Sequence, residues 1–233
     1  MKSLVIIPTY NEIENIAEIV PQVFLKNPAV HILVVDDNSP DGTAKKVQQM
    51  QSQHQDRLHL LNRSGKQGLG KAYLAGFEWA LQNSYDLIIE MDADFSHRPE
   101  DLVKVLSAAE NPQTDFVIGS RYVPGGETIN WSFLRKLISR GGSLYSRLIL
   151  GFPIRDWTGG FNAWKAPVLQ KMGLGQIQSN GYSFQIELKY KASKNGFQVQ
   201  EVPIVFADRR VGQSKMNLSI VLEAFYRVWQ IRS

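Results

Sequence analysis

Cysteine is absent from the 233 residues, which excludes disulfides, thiolate metal sites and a cysteine nucleophile, and fits a reducing compartment. Long apolar runs are missing too. No uninterrupted stretch of about 18 or more apolar residues occurs, so a spanning helix is not expected and any membrane contact is peripheral. The apolar stretch within Met1 to Tyr10 runs straight into Asn11 and Glu12, too short for a signal peptide, and reads as a buried first strand. The four histidines, His31, His54, His59 and His97, show no zinc-like spacing, and no Ser-His-Asp grouping is inferable. Charge of one sign is not dominant. The 26 Lys+Arg against 22 Asp+Glu leave +4, a mild preference for phosphate-bearing partners or an acidic membrane face. There is no internal repeat, low-complexity segment or linker. A content of 43% hydrophobic and 21% charged residues suits one domain large enough to bury a core and hold a cleft.

What is present in the first half is an alternation of short apolar runs with amphipathic stretches, the pattern of an α/β fold with a mostly parallel central sheet and helices on both faces. Candidate strands are Ser3 to Ile7, His31 to Val35, Leu58 to Leu61, Leu87 to Met91 and Phe116 to Gly119. Between the first two, Ile13, Ile16, Ala17, Val20, Val23 and Phe24 recur three and four apart, as on one face of a helix. From about Tyr122 the alternation is lost. That half reads as a helical segment, a Gly-rich turn at Thr158 to Gly160, a helix near Phe184 to Ser193, one strand near Val199 to Phe206, and a final helix. Each early strand ends in polar residues or glycine, and such ends converge on one cleft in open α/β sheets.

The sharpest local feature is the apolar strand that runs into Asp92-Ala93-Asp94. Two carboxylates one residue apart at a strand end can share one hard divalent cation, Mg²⁺ or Mn²⁺, which commonly keeps substrate phosphates in its shell. Asp37, after the second strand, suits a ribose or base edge, whereas Asp41-Gly42-Thr43 suits a turn and a helix cap. Tyr10 offers a ring for stacking and Glu12 a carboxylate. Gly68-Leu69-Gly70 is followed by Tyr73 where a dinucleotide fingerprint needs a small residue; it reads as a tight turn and helix start.

In order along the chain, Pro8-Thr-Tyr-Asn-Glu12, Asp36-Asp-Asn-Ser-Pro-Asp-Gly-Thr43, Gly68-Leu-Gly-Lys-Ala72 and Met91-Asp-Ala-Asp-Phe-Ser-His-Arg-Pro-Glu100 closely resemble the inverting family 2 glycosyltransferases of GT-A fold. Within them, Gly119-Ser-Arg-Tyr122, Thr158-Gly-Gly-Phe161 and Asp208-Arg-Arg-Val-Gly-Gln-Ser-Lys215 look like the dolichol-phosphate (polyprenol-phosphate) mannose synthases. The resemblance spans about residues 4 to 217, a single catalytic domain of residues 1–217. It implies that Pro8, Tyr10, Glu12, Val35 and Asp37 hold the guanosine of GDP-mannose. It further implies that Asp92, Ala93 and Asp94 form the metal and diphosphate site, with Arg121, Arg209 and Lys215 around the phosphates and sugar. Some members place Gln two positions after the second Asp as a further metal ligand. Here Ser96 stands in that place, acting through its hydroxyl or an intervening water.

From Trp131 to Phe152, apolar residues at helical spacing are interleaved with Arg135, Lys136, Arg140 and Arg147, and no acidic residue occurs between Glu127 and Asp156. Residues 131–152 therefore read as an amphipathic segment suited to a membrane interface, although Gly141-Gly142 weakens a continuous helix. Residues 218–233 read as a second amphipathic helix. Arg135 and Ser139, four apart, are candidates to grip the acceptor phosphate, with Arg121 beside them and Asp156 as an orienting group. The implied partners are GDP-mannose, dolichyl or polyprenyl phosphate, a membrane surface at its cytoplasmic face and a membrane-anchored subunit, with no nucleic acid. Two rivals stand beside this reading. One is a related enzyme that uses UDP-glucose or another sugar nucleotide; the other is a catalytically silent nucleotide-sugar-binding subunit, against which the intact Asp-x-Asp and the basic loop argue.

Overall fold

A computed structural model describes residues 1–54, 56–179, 181–208 and 226–232. Among them, the strands β1 (Ser3–Thr9), β2 (His31–Asp36), β3 (Leu58–Asn62), β4 (Leu87–Glu90), β5 (Phe116–Ser120), β6 (Glu127–Thr128), β7 (Asn162–Lys165), β8 (Val199–Pro203) and β9 (Val205–Phe206) build two sheets. Seven strands form the central sheet in the order β3-β2-β1-β4-β7-β5-β8, and β6 and β9 form a small parallel pair. Only β7 runs against its neighbours; β1, β2, β3 and β4 are parallel, as are β5 and β8.

Strand alternation explains the two-faced core. Leu4 and Ile6 of β1 and Leu33 and Val35 of β2 point into one apolar cluster, while Val5, Ile7, Ile32 and Val34 point into the other, all fully buried. Helices α1 (Ile13–Lys26), α2 (Thr43–Gln51) and α4 (Pro99–Ala109) line the second cluster. Helices α3 (Leu69–Gln82), α6 (Ala166–Met172) and α7 (Gly181–Lys194) line the first. Burial on both faces is why these strands read as near-continuous apolar runs.

The remaining helix, α5 (Phe133–Leu150), is continuous through Gly141 and Gly142, contrary to the break that these glycines suggest. A helix tolerates the propensity cost of two glycines when other terms support it. Here the Ser132 hydroxyl caps the start by accepting from the Arg135 amide, Gly151 closes the end in a left-handed conformation, and Ser143, Ser146 and Leu150 are buried. The expected strand over residues 199–206 divides at Ile204. Its first part joins the central sheet beside β5 and its second pairs with β6. Residues 226–232 are helical; the rest of the expected terminal helix, 218–225 and Ser233, lies outside the described residues.

Candidate active site

The sheet grows outward from β1 through β2 to β3, and then restarts on the opposite side of β1 with β4. Between β1 and β4 lies the switch point where open α/β sheets form a ligand crevice beyond their carboxyl ends. The residues after β1 and β4 are Tyr10 to Glu12 and Asp92 to Asp94, so the sequence motifs meet there.

On the β1–β3 side, Tyr10 is exposed, and the Lys66 ammonium lies 4.1 Å from its ring centroid. Asp37 is buried and paired with the Arg63 guanidinium, which also donates to Gln67. Glu12 accepts a 2.6 Å bond from Asn15. Val35 is fully buried in the core, at the end of β2 next to Asp36 and Asp37. Arg63 and Lys66 were not anticipated; their only sequence signal was a polar tail after β3. Asp41 behaves as a cap: its carboxylate accepts from the Thr43 amide and hydroxyl and from the Ile13 amide, tying the starts of α1 and α2 together. Gly68 has φ of 101°, which favours glycine, and a Cβ on Gly70 would lie 2.9 Å from the Phe184 ring.

At the end of β4, Asp94 is buried and accepts from the Ser96 amide at 3.0 Å, while Asp92 accepts from the Tyr73 hydroxyl at 3.3 Å. Phe95, between Asp94 and Ser96, adopts φ of 63°, a left-handed conformation uncommon for an aromatic residue and one that clusters at functional sites. His97 is buried beneath this loop. Its Nδ1 accepts from the Asp92 amide at 3.0 Å and its ring stacks on Phe161 at 4.8 Å. Burial lowers the His97 pKa against the pull of Asp92 and Asp94, so the imidazole is held neutral as a prop for the loop. No group of three or more His, Cys, Asp and Glu side chains that could hold a metal occurs among the described residues. Two carboxylates with a neighbouring hydroxyl nevertheless suit a hard cation whose remaining ligands are diphosphate oxygens and water.

Arg121, after β5, is fixed by a buried carboxylate. Its Nε and Nη2 donate to Asp156 at 2.8 and 2.6 Å, its amide donates to the same carboxylate at 2.9 Å, and Nη2 also reaches Thr158. The rings of Tyr122, Trp131 and Phe206 lie 5.1 to 5.5 Å from this guanidinium. Asp156 is fully buried and also accepts from the Gly159 amide. Burial alone would raise its pKa, but the Arg121 charge and bonds lower it. Asp156 thus anchors Arg121 and the Gly159 turn, the part of its expected orienting role that the structure displays. Lys189, fully buried on α7, donates to the carbonyls of Asp156, Trp157 and Gly159 and holds the same turn; burial lowers its pKa to about 8. Beneath them Glu90 accepts from Trp164, Asn162 and Gln185, and burial raises it to about 7.

The inward side of α5 completes the site. Arg135 pairs with Asp208 at 2.7 Å and lies 4.0 Å from the Trp131 ring, while Ser139 accepts from the Tyr122 hydroxyl at 2.7 Å. The structure therefore brings Arg121, Arg135 and Ser139 to one wall, linked through Tyr122 and Trp131. The outward side of the helix exposes Phe133, Leu137, Leu144 and Leu148 beside Lys136, Arg140 and Arg147. Arg209 and Lys215 lie outside the described residues.

Residues 4–173 match the family described as Glycosyl transferase family 2. The chain is 49% identical over 233 residues to the polyprenol monophosphomannose synthase of Mycolicibacterium smegmatis, covering 99% of this chain and 88% of that one. It is 45% identical to the undecaprenyl-phosphate mannosyltransferase of Micrococcus luteus, covering 98% and 93%. A dolichol-phosphate mannosyltransferase of Pyrococcus furiosus is 37% identical over 99% of this chain and 64% of its own length. Among solved structures, a mannosyltransferase of Pyrobaculum calidifontis in complex with GDP-mannose and Mn²⁺ superposes with a TM-score of 0.62 at 17% identity, covering 99% of this chain and 72% of that one. Glucosyl-3-phosphoglycerate synthase of Mycobacterium tuberculosis, with Mn²⁺, UDP and phosphoglyceric acid, gives 0.69 at 16% identity, covering 99% and 76%. The architecture they share with this chain is the GT-A fold.

Proposed function

The chain belongs to glycosyl transferase family 2, and from that premise we propose that it transfers mannose, with inversion, from GDP-mannose to a polyprenyl phosphate such as dolichyl or undecaprenyl phosphate. The observation that carries this reading is the Asp92–Asp94 pair after β4, at the β1–β4 switch point, together with Arg121 and Arg135 fixed about Trp131 and Phe206, the latter ring also meeting His97 beneath the acidic loop. The chain around it is about half identical to a polyprenol monophosphomannose synthase. Pro8, Tyr10, Glu12, Val35 and Asp37 border the nucleoside, with Arg63 paired to Asp37.

Asp92, Ala93 and Asp94 are assigned to the diphosphate, where the two carboxylates would hold Mg²⁺ or Mn²⁺, with Ser96, whose amide donates to Asp94, as the further candidate ligand. When bound, that cation would neutralise charge gathering on the departing GDP. The acceptor needs little activation. A phosphate monoester has a second pKa of about 6 and is largely dianionic near neutrality, so one of its oxygens can attack the anomeric carbon directly as the bond to GDP breaks. Arg135 and Ser139 orient that phosphate, and Arg121, locked by Asp156, lies beside it; Arg209 and Lys215 are assigned to the donor phosphates. Arginines held in place before the reaction stabilise developing charge without reorganising.

No helix among the described residues is long and apolar enough to cross a membrane. The outward side of α5, with Phe133 and Leu148 exposed at 81% and 72%, and exposed Trp229 near the carboxyl end, suits insertion into the interface beside anionic headgroups. Peripheral contact there would meet a lipid phosphate where it resides. A transfer assay with radiolabelled GDP-mannose or UDP-glucose, Mg²⁺ and undecaprenyl phosphate tests the reading. Lipid-extractable label from GDP-mannose alone is expected; label only from UDP-glucose, or from neither, contradicts it.

A further inference from the structure

Trp131 precedes the cap of α5 and is almost fully buried. Its ring lies 4.0 Å from the Arg135 guanidinium and 5.5 Å from that of Arg121, and it meets Phe206 edge-on at 5.3 Å. A ring face between two guanidiniums lets like charges share a small space, because its negative face attracts both.

Two N–H groups here lack acceptors. The Trp131 Nε1 and the Arg135 Nε are buried and have no hydrogen-bond partner among the described residues. Asp208 accepts from Arg135 Nη1 and leaves Nε unmet. A buried donor without an acceptor is costly and uncommon, and these two belong to side chains stacked on one another. Both groups can only donate, so whatever meets them supplies acceptor oxygens. With two arginines beside it, the favoured acceptor is anionic, and a phosphoryl group has the geometry that arginine matches.

We propose that Trp131 is a further substrate-binding residue, whose indole N–H donates, beside the Arg135 Nε–H, to a phosphoryl oxygen of the acceptor lipid; this rests on the acceptor-phosphate reading of Arg135 and adds a group to that site. The ring supports the arginines and the N–H contacts the ligand, two functions that substitution separates. Trp131→Phe keeps an aromatic face and removes the donor, whereas Trp131→Leu removes both.

In Trp131→Phe the apparent KM for undecaprenyl phosphate is expected to rise about tenfold, the effect of one hydrogen bond to a charged group. The thermal midpoint and the dissociation constant of GDP with Mn²⁺ should not move. An unchanged lipid KM overturns the proposal, as does an equal weakening of GDP, which would put the N–H on the donor. A second measurement does not depend on turnover. In ¹⁵N-tryptophan-labelled protein, the indole resonance missing from Trp131→Phe identifies Trp131, and titration with undecaprenyl phosphate should move it downfield. Inorganic phosphate at equal concentration, lacking the lipid anchor, should move it less. No shift at saturating lipid phosphate overturns the inference even in an active enzyme, whereas absence of mannosyl transfer by the unaltered protein speaks against the function and leaves the resonance to judge the site.

Discussion

Replacing Asp156 by Asn keeps the shape of the side chain and removes the negative charge that fixes Arg121. In the intact protein this carboxylate accepts two guanidinium bonds and the amides of Arg121 and Gly159, with both side chains buried. Removing one partner of a buried ion pair leaves the other charge uncompensated, at about 3–5 kcal/mol. The buried Lys189 ammonium, which contacts the Asp156 carbonyl, also loses the carboxylate that most favours its charge, so the upper half of that range applies. For a chain of this size, each kcal/mol shifts the midpoint by roughly 2–4 °C, so the variant should melt roughly 8–20 °C lower.

The sign with pH follows from the lowered pKa of Asp156. Its contribution is present above the ordinary carboxylate range and is lost as pH falls through the depressed value, so the difference between variant and parent should shrink in acid. Urea unfolding at pH 7 and at a pH below the ordinary carboxylate value of 3.8, followed by tryptophan fluorescence, measures the loss and its dependence on pH. A second arm separates stability from catalysis. Pairing Asp156→Leu with Arg121→Met should recover much of the stability, because apolar replacement of a buried pair is often neutral, while turnover stays down by about 10²-fold. A loss below about 1 kcal/mol for Asp156→Asn at pH 7, or recovery of turnover in the apolar double variant, would refute the reasoning.

Other outcomes follow from the same structure. Burial raises Glu90 from 4.5 to about 7, so the folded protein retains a proton that the unfolded chain releases; stability should decline as pH climbs from about 4.5 to 7, and Glu90→Gln should flatten that decline in the same unfolding titration. Exchanging Leu137 and Leu148 for Ser should reduce cosedimentation with vesicles rich in anionic lipid by about tenfold, with little change in melting, because both side chains are exposed. Gly70→Ala should destabilise by about 1–3 kcal/mol in thermal unfolding, since its Cβ would press on the buried Phe184 ring.

How far the sequence could be read follows from what each element buries. Strands β1, β2, β4 and β5 are buried almost throughout and carry polar residues at one end, so their positions and the crevice they point to were legible as apolar runs with polar tails. Strand β7 was not. Its four residues, Asn162 to Lys165, include a buried Asn and a Trp that serve the Glu90 network, so no apolar run marks it. The division of 199–206 at Ile204 was hidden because both halves are extended, and only their pairing partners differ.

Among site residues, the Asp92–Asp94 pair announced itself by its place after a strand. The anchoring of Arg121 by Asp156 did not, since the two are 35 positions apart and meet only through the fold. Lys189 sits in a helix whose spacing reads as an ordinary charged surface, yet it is fully buried. The pairing of Asp37 with Arg63 was out of reach for the same reason of distance along the chain.

The account depends on Asp92 and Asp94 holding a cation that in turn holds the diphosphate of the donor. Calorimetric titration of GDP into the protein with and without Mn²⁺, repeated for Asp94→Ala, tests that claim most directly. The account predicts that Mn²⁺ tightens GDP binding at least about tenfold in the unaltered protein and has no effect in the folded variant. Equal tightening by Mn²⁺ in both proteins would contradict it.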